Sequence, residues 1–293
     1  MDKRAPITAP IRPEFENTAL EAGNIGDVQR KLSAWERIRT NDFVRKMFIL
    51  VVLASAWQAY ATYLNNGLMF PKFSEAMAAL WDATVNGPLL DRTFTTLKVL
   101  LTGYSVGLVV AAIFTSLAVS TRFGRDLLET LTSMFNPLPA IALLPLALLW
   151  FGLGVPSLVF VIVHSVLWAV ALNAHTGFMS VSETQRMAGM NYGLKGFGFV
   201  RQILIPAAFA SILAGLKIGW AFAWRTLIAA ELVFGVSSRS GGLGWFIFEN
   251  RNQLETAYVF AGLVAVIIIG LLVENVIFRN IEKRTVRRWG MQR

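Results

Sequence analysis

Six long apolar stretches, separated by short polar segments, decide what this chain can fold into. They cover residues 47–64, 99–119, 127–151, 155–172, 212–234 and 259–278. Each approaches the roughly 20 residues that a helix needs to cross about 30 Å of hydrocarbon at 1.5 Å per residue. Because 55% of the 293 residues are hydrophobic and only 15% are charged, the sequence predicts an all-α, polytopic membrane helical bundle with about six transmembrane helices.

Basic residues are unevenly distributed between the two sets of connecting segments. Residues 1–46, 122–125, 177–205 and 279–293 together hold 20 of the 27 Lys and Arg residues, whereas the opposite loops hold four. Cytoplasmic loops of membrane proteins carry such an excess, so both termini and the 177–205 loop are predicted to be cytoplasmic. The net charge of +9 is then a topology signal, and we expect membrane lipid rather than nucleic acid as a partner.

The pattern predicts three regions along the chain. Residues 1–46 are a polar cytoplasmic tail, residues 47–278 a transmembrane domain, and residues 279–293 a basic cytoplasmic tail. An interfacial helix is expected at 28–46, while a disordered start is equally compatible with the first twenty residues. No signal-peptide pattern is present, and the absence of cysteine excludes disulfides and thiolate ligands. Short helices are expected at 74–82 and 246–250 on the other side.

Prolines interrupt the third apolar stretch. The sequence there reads Asn136-Pro137-Leu138-Pro139, with Pro145 following. Proline lacks a backbone N–H and clashes with the preceding turn, so this helix should be kinked or broken. In a bilayer such a break requires protein or a watery cavity around the freed carbonyl groups. The segment therefore either lines a pathway through the membrane or bends only to pack.

Ionisable side chains within apolar stretches are costly and usually functional. Arg225 can bind an anionic solute or form a structural ion pair. Glu231 lies about 240° further around the same helix, so each residue should find its partner on another helix or another subunit. His164 is either a hydrogen-bonded bundle histidine or part of a pathway. The candidate pathway residues are Asn136, Pro137, Pro139, His164, Trp224, Arg225 and Glu231, and no residue set predicts a metal site or catalysis.

The polar loop at 177–205 carries signals for a helix of its own. Ser180-Val-Ser-Glu183 has the spacing of a capping box, and Gly193 suits a left-handed helix end. These features predict a short cytoplasmic helix over 182–192, followed by a second element over 194–205. Ala188 and Gly189 remove side-chain bulk from a face that we expect to contact a partner. The alternative is a plain connector that uses its glycines for turns.

This loop resembles the cytoplasmic signature of permease subunits in binding-protein-dependent ABC importers. That signature reads Glu-Ala-Ala, three residues, Gly, nine residues, Ile, one residue, Leu-Pro. The matching positions are Ala188, Gly193, Ile203 and Pro206, and the departures are Met187 for Glu, Gly189 for Ala and Ile205 for Leu. The segments 149–154, 224–235 and 242–248 are similar to the subgroup that imports nitrate, taurine, aliphatic sulfonates or bicarbonate.

The resemblance implies a type I ABC importer permease fold with its core at about 90–278. It also implies a bacterial inner-membrane location, a second permease copy, an extracellular or periplasmic solute-binding protein, and a cytoplasmic ATPase dimer that uses ATP and Mg. The expected ATPase-coupling residues are Glu183, Arg186, Met187, Ala188, Gly189, Gly193 and Pro206. No P-loop is present, so this chain is expected to be no enzyme and to bind no cofactor.

The transported solute is then expected to be small and anionic. Two rival interpretations stay open. An ATP-independent secondary transporter or channel would need coupling groups at the bilayer midplane, for which only Arg225 and Glu231 are candidates. A passive membrane anchor would need neither a broken third helix nor a capped cytoplasmic helix.

Overall fold

A computed structural model describes residues 40–233, 241–286 and 288. Most of the interfacial helix predicted at 28–46 lies outside these residues. By its internal contacts the chain divides into two units, Met1–Leu53 and Ala54–Arg293. Helix α1 (Asp42–Leu64) begins in the first unit, and every helix described below belongs to the second.

The described part of the second unit is helical and contains no strand. After α1 the α-helices are α2 (Phe73–Val85), α3 (Leu89–Ser120), α4 (Arg122–Phe135), α5 (Leu144–Phe151), α6 (Val155–Met179), α7 (Glu183–Asn191), α8 (Gly196–Phe199), α9 (Ile205–Val233), α10 (Leu243–Asn252), α11 (Thr256–Leu272) and α12 (Arg279–Arg284). The short helices predicted at 74–82 and 246–250 are present as α2 and α10, and α10 is twice as long as expected.

Five of the described helices are long and apolar enough to cross a membrane, and a bent pair brings the number to six. The five are Asp42–Leu64, Leu89–Ser120, Val155–Met179, Val200–Val233 and Thr256–Arg284, and the pair joins Arg122–Phe135 to Ala140–Phe151. The prediction of an all-α bundle with about six spans is therefore confirmed.

The third apolar stretch is broken, as its prolines predict. The two halves of the pair meet at 88°, and the chain between them passes through Asn136–Pro139 into a 3₁₀ turn, Ala140–Leu143. Pro145 does not kink a helix, because it stands in the first turn of α5, where a missing N–H breaks no intrahelical bond. Helix α4 begins at Arg122, five residues before the predicted stretch, and its first turns therefore include charged residues.

Helix α6 is the centre of the bundle and is packed closely by α3 and α9. Glycines make this approach possible: a Cβ on Gly103 would lie 2.8 Å from Ile162 Cβ, and one on Gly107 would lie 2.9 Å from Val166 Cβ. Small residues let membrane helices bring their backbones together, which increases van der Waals contact where no water is available to drive association. Helix α6 can therefore pack this closely because glycines at the contact have no side chain.

The sequence suggested that the last span ends at residue 278, but the helix continues beyond it. A π-helical turn, Val273–Phe278, leads directly into α12. Lys217 Nζ of α9 donates a hydrogen bond of 2.5 Å to Glu282 Oε2 of α12, and both side chains are largely buried. Burial of Phe278 and Val286 against Leu213 adds an apolar contact. The C-terminal segment is thus attached to α9 as far as residue 286, and residues 289–293 lie outside the described part.

Candidate functional site

A cavity of about 320 Å³ lies between the broken third helix, α6 and α9. Five of the seven candidate pathway residues line it, namely Asn136, Pro137, Pro139, His164 and Arg225. The bend brings its proline segment against the middle of two spans, so residues almost 90 positions apart meet in one place. This arrangement favours the interpretation that the break serves a cavity over the interpretation that it serves packing alone.

Arg225 is the charged residue in the described wall of this cavity. Its Nε donates a 3.1 Å hydrogen bond to the carbonyl of Ala221 one turn earlier, and its guanidinium carbon lies 5.3 Å from the centre of the Phe222 ring. No carboxylate within the described residues forms an ion pair with it. The terminal nitrogens of the guanidinium group therefore remain as donors for a group from outside the chain.

His164 and Trp168 bring polar ring atoms to the same cavity. Both ring nitrogens of His164 and Nε1 of Trp168 are buried, and none has a hydrogen-bond partner in the described part of the chain. The two rings meet edge to face at 6.1 Å, and Phe135 stacks on Trp168 at 5.5 Å. Within the described residues His164 is therefore not a hydrogen-bonded bundle histidine, because its residue lines the cavity and neither ring nitrogen has a partner.

Several cavity residues escaped the sequence analysis. They are Leu138, Ala140, Ile141, Ser165, Trp168, Phe222, Thr226 and Ala229. Those on α9 lie three positions before Arg225 and one and four positions after it, and those on α6 lie one and four positions after His164. Residues three and four apart share a helix face, so the two predicted residues, placed on helices, give three of the eight additional positions, namely Trp168, Phe222 and Ala229.

Trp224 and Glu231 are not at the cavity, contrary to the prediction. Trp224 is 8% exposed and belongs to the main apolar core. This position follows from helix geometry, because Trp224 directly precedes Arg225 and its side chain points about 100° away from that of Arg225. Glu231 is 4% exposed and lies in a hydrogen-bonded cluster near the end of α9. Both residues therefore hold the bundle together in this structure rather than line the cavity.

The Glu231 cluster joins three helices. Gly244 N–H at the start of α10 donates to Glu231 Oε2 at 2.8 Å, and the hydroxyl of Thr96 on α3 donates to the same carboxylate at 3.0 Å. Leu243 N–H in turn donates to Thr96 Oγ1 at 2.7 Å. These two amides belong to the first turn of α10, where backbone donors have no partner within the helix. Glu231 therefore has partners on other helices, as predicted, but they are donors of hydrogen bonds and not a cation.

Two glycines make room for this cluster. A Cβ on Gly242 would collide with Thr96 Oγ1 and Glu231 Oε1, and one on Gly244 would lie 2.5 Å from Glu231 Cβ. Arg92 of α3 adds a further tie, because its Nη1 donates to the carbonyl of Gly241 at 2.9 Å. The start of α10 is thus fixed to α3 and α9 through close backbone approach.

The predicted helix of the polar loop is present as α7. Its N-cap is Ser182, whose hydroxyl accepts from Gln185 N–H at 3.4 Å, so the assignment of the cap to Ser180 and Glu183 is wrong. Ser180 instead donates to the carbonyl of Gly177, at the end of α6. At the other end of the helix Gly193 has φ +78°, the left-handed conformation that the sequence predicted there.

The faces of α7 differ from the expectation at one position. Gly189 is buried: a Cβ there would lie 2.8 Å from Ile203 Cγ1 and 3.0 Å from Phe199 Cε2. Its small size therefore serves packing within the chain and not contact with a partner. Ala188 and Glu183 are exposed, and Met187 is 56% exposed. These three residues form an accessible surface on α7.

Arg186 holds α7 to the end of α6. Its Nη2 donates to the carbonyl of Phe178 at 2.7 Å, and its Nε donates to the carbonyl of Val181 at 3.3 Å. A cation at a helix C-terminus satisfies free carbonyl groups and complements the helix dipole. Arg186 thus positions α7 from within the chain.

Pro206 lies in the first turn of α9, directly after a π-helical turn, Val200–Leu204. In that turn Ile205 N–H donates to the carbonyl of Val200, five residues back. A proline cannot donate to the chain before it, so a wider turn on its N-terminal side accommodates the missing bond. The helical path from α8 to Val233 is therefore continuous, and α7 packs against its beginning.

The loop helix, the spacing of Gly193, Ile203 and Pro206, and the long span that follows all fall within the match to a known family. The family described as binding-protein-dependent transport system inner membrane component matches residues 103–287. The chain belongs to this family. It is thus an ABC transporter permease of the type I fold, a multi-pass membrane protein.

Two named relatives of this permease match it over most of both chains. The taurine transport system permease protein TauC of Escherichia coli is 31% identical over 234 residues, which cover 77% of this chain and 82% of that protein. The nitrate import permease protein NrtB of Synechocystis is 26% identical over 259 residues, which cover 85% of this chain and 92% of that protein. The subgroup suggested by the sequence is therefore confirmed.

Proposed function

We propose that this permease is the membrane subunit of an ATP-driven importer for a small anionic solute. Two copies would form the pathway in the inner membrane, with both termini cytoplasmic. A solute-binding protein would deliver the solute from outside, and a cytoplasmic ATPase dimer would bind ATP and Mg and supply the energy. The names of the relatives, which refer to taurine and nitrate, support an anion or a zwitterion as the class of solute.

One observation carries the proposal: the exposed helix α7 packs on the beginning of the helix that carries Arg225. Gly189 contacts Ile203 and Phe199, so a displacement of α7 acts directly on the helical path into α9. An element that a partner can move, connected to a span that lines a cavity, is what coupling to a separate ATPase requires. Glu183, Met187 and Ala188 are the residues that the ATPase would contact.

The rival interpretation, transport without ATP, has less support in the geometry. It requires ionisable groups that bind and release coupling ions at the midplane. Glu231 accepts hydrogen bonds from two donors and is buried against two glycines, so a metal cation such as Na⁺ has no room beside its carboxylate. Arg225 carries a permanent positive charge and does not suit a coupling cation.

Co-purification and reconstitution test the proposal. The permease, extracted in mild detergent, is expected to bring down an ATPase with Walker motifs, and vesicles containing the assembly should take up solute only when ATP is supplied. Uptake by the permease alone at the same rate would contradict an ATP-driven mechanism.

Ala188→Trp tests the role of α7 separately. Because Ala188 is exposed, the permease should fold normally, while ATPase attachment and uptake should fall at least about 10-fold through steric exclusion of the partner. Ala59→Trp, at an exposed position on α1, is the matched control and should leave both unchanged. Normal ATPase binding by the Ala188 variant would exclude α7 as the contact surface.

A further inference from the structure

The cavity combines a cationic side chain, ring nitrogens without a partner among the described residues, and apolar wall. We infer that it is a binding subsite of the permease itself for an organic monoanion, a carboxylate or sulfonate with an apolar body, rather than for an inorganic anion such as nitrate or bicarbonate. The inference rests on the proposed importer function and identifies its class of solute. It also assigns part of the selection to this chain and not only to a binding protein.

Size is the first argument. The cavity of about 320 Å³ falls at the lower end of the range of roughly 300–1,000 Å³ found for small-molecule pockets. A water molecule takes up about 30 Å³ in the liquid, so the space corresponds to roughly ten waters. Nitrate and bicarbonate have four heavy atoms each and would leave most of it to water, whereas an organic acid with six to ten heavy atoms would fill it.

The charge of the wall is the second argument. Arg225 is the only Lys, Arg, Asp or Glu among the described residues that line the cavity, and the other ionisable residue is His164. A single guanidinium group in such a wall matches one negative charge, and its planar pair of donors suits the two oxygens of a carboxylate or sulfonate. The solute should therefore carry one acidic group, placed at Arg225.

Donors without partners are the third argument. Trp168 is 7% exposed, its Nε1 can only donate, and the atom has no partner within the described residues. Burying such a donor unpaired costs free energy, and an acceptor supplied by a ligand removes that cost. His164, whose two nitrogens are also unpaired, supplies a further donor. Both rings line the same cavity as Arg225, so their unpaired nitrogens are the candidates for a second contact to the acidic group.

The apolar surface between these groups is the fourth argument. Phe222, Leu138 and Ile141 contribute wall that offers no hydrogen bond, as do Pro137 and Pro139. An inorganic anion would lose water against this surface without replacement, which is unfavourable. An alkyl or aryl group gains from the same contact, and the acidic end keeps its donors. The wall is therefore complementary to a molecule with one charged end and one apolar end.

The test uses the full-length permease in lipid nanodiscs, without a binding protein. Four probes, 1-butanesulfonate, benzoate, nitrate and bicarbonate, are titrated; proton NMR follows binding of the two organic anions, and the two inorganic anions are measured by their displacement of butanesulfonate. We expect the two organic anions to bind more tightly than the two inorganic anions. Equal binding of nitrate and butanesulfonate, or no binding of either organic anion, would overturn the inference.

Substitutions locate the binding. Arg225→Gln is expected to weaken butanesulfonate and benzoate by roughly 10- to 100-fold, through loss of charge-assisted hydrogen bonds. Arg251→Gln is the matched control, because Arg251 also lies over a phenyl ring, that of Phe248 at 6.0 Å, but on α10. It should bind as the wild type does. An unchanged affinity in Arg225→Gln would overturn the inference.

Phe222→Ala guards against misfolding of the arginine variant. It should weaken the organic probes several-fold and leave nitrate unaffected, because it removes apolar wall alone. If it weakens none of the probes, the apolar body has no role and the inference is wrong. Uptake by the assembled importer, measured in parallel, separates the two proposals. If uptake needs ATP but the permease binds organic and inorganic anions equally, only the subsite is contradicted. If uptake proceeds without ATP, the importer function is contradicted.

Discussion

Replacement of Thr96 by valine should loosen the start of α10 by removing its tie to Thr96 of α3. Thr96 is completely buried, and valine has nearly the same shape, so the change leaves no large cavity. It removes a hydroxyl that donates to Glu231 and accepts from Leu243 N–H. The effect therefore measures the polar cluster and not packing.

The expected magnitude follows from the two lost interactions. A hydrogen bond to a charged group contributes about 1.5–3 kcal/mol, and a buried N–H left without a partner costs about 1–3 kcal/mol. Since the carboxylate keeps Gly244 N–H at 2.8 Å and the site can relax, we take about 3 kcal/mol for local opening of α10. That free energy corresponds to a roughly 100-fold increase in the population of the open state.

Hydrogen–deuterium exchange in nanodiscs measures this population. Peptides covering Leu243 and Gly244 should exchange roughly 100-fold faster in Thr96→Val, whereas peptides from the middle of α6 should be unchanged. Thr96→Ser keeps the hydroxyl and loses only a methyl group, so its exchange should lie within a few-fold of the wild type. Equal exchange in the valine and serine variants would refute the argument that the hydroxyl secures α10.

Three further predictions concern packing and the loop helix. Gly103→Ala should destabilise the bundle by about 1–3 kcal/mol in a detergent unfolding titration, because the new Cβ would lie 2.8 Å from Ile162. Gly198→Ala, where nothing lies within 4 Å of the new Cβ, is the control and should be neutral. Equal stabilities of the two variants would contradict the close packing at Gly103. Gly193→Ala should lower the stability of the loop by about 1–2 kcal/mol and increase its proteolysis, because φ at this position is +78°. Gly193→Asn should lower the stability less, because asparagine tolerates the left-handed conformation better. Arg186→Gln should lose about 1–2 kcal/mol through the 2.7 Å bond to Phe178, seen as faster cleavage after α6; unchanged cleavage would exclude this anchor.

The sequence predicted those features that depend on local chemistry. A proline pair in the interior of an apolar stretch interrupts the helix, so the bend at Asn136–Pro139 could be predicted from four residues. The left-handed end of α7 could be predicted because it needs a glycine, here Gly193. The cavity could be predicted in part, since the broken helix, His164 and Arg225 were each candidates for a pathway beside a structural alternative.

The sequence failed where the deciding partner is distant in the chain. Glu231 was assigned to the pathway because a buried carboxylate was expected to have a charged partner or a functional role. Its donors are a hydroxyl 135 residues earlier and an amide at the start of a later helix, and neither leaves a local pattern. Gly189 was assigned to the surface for a similar reason, because its neighbours Ile203 and Phe199 are known only once the loop folds back.

Helix α9 connects three features that were identified separately. Counted at 1.5 Å per residue, about 33 Å separates Ile203, which contacts α7, from Arg225 at the cavity, and about 9 Å more separates Arg225 from Glu231 at the start of α10. Since α9 is unbroken from Ile205 to Val233, it transmits a displacement better than a chain of loops would. A shift that begins at α7 must therefore change the cavity wall, and it must also either carry α10 along or break the Glu231 cluster. Gly244 N–H ties α10 directly to Glu231 of α9, whereas Thr96 ties both helices to α3, so Thr96→Val should ease the joint movement of α9 and α10 relative to α3.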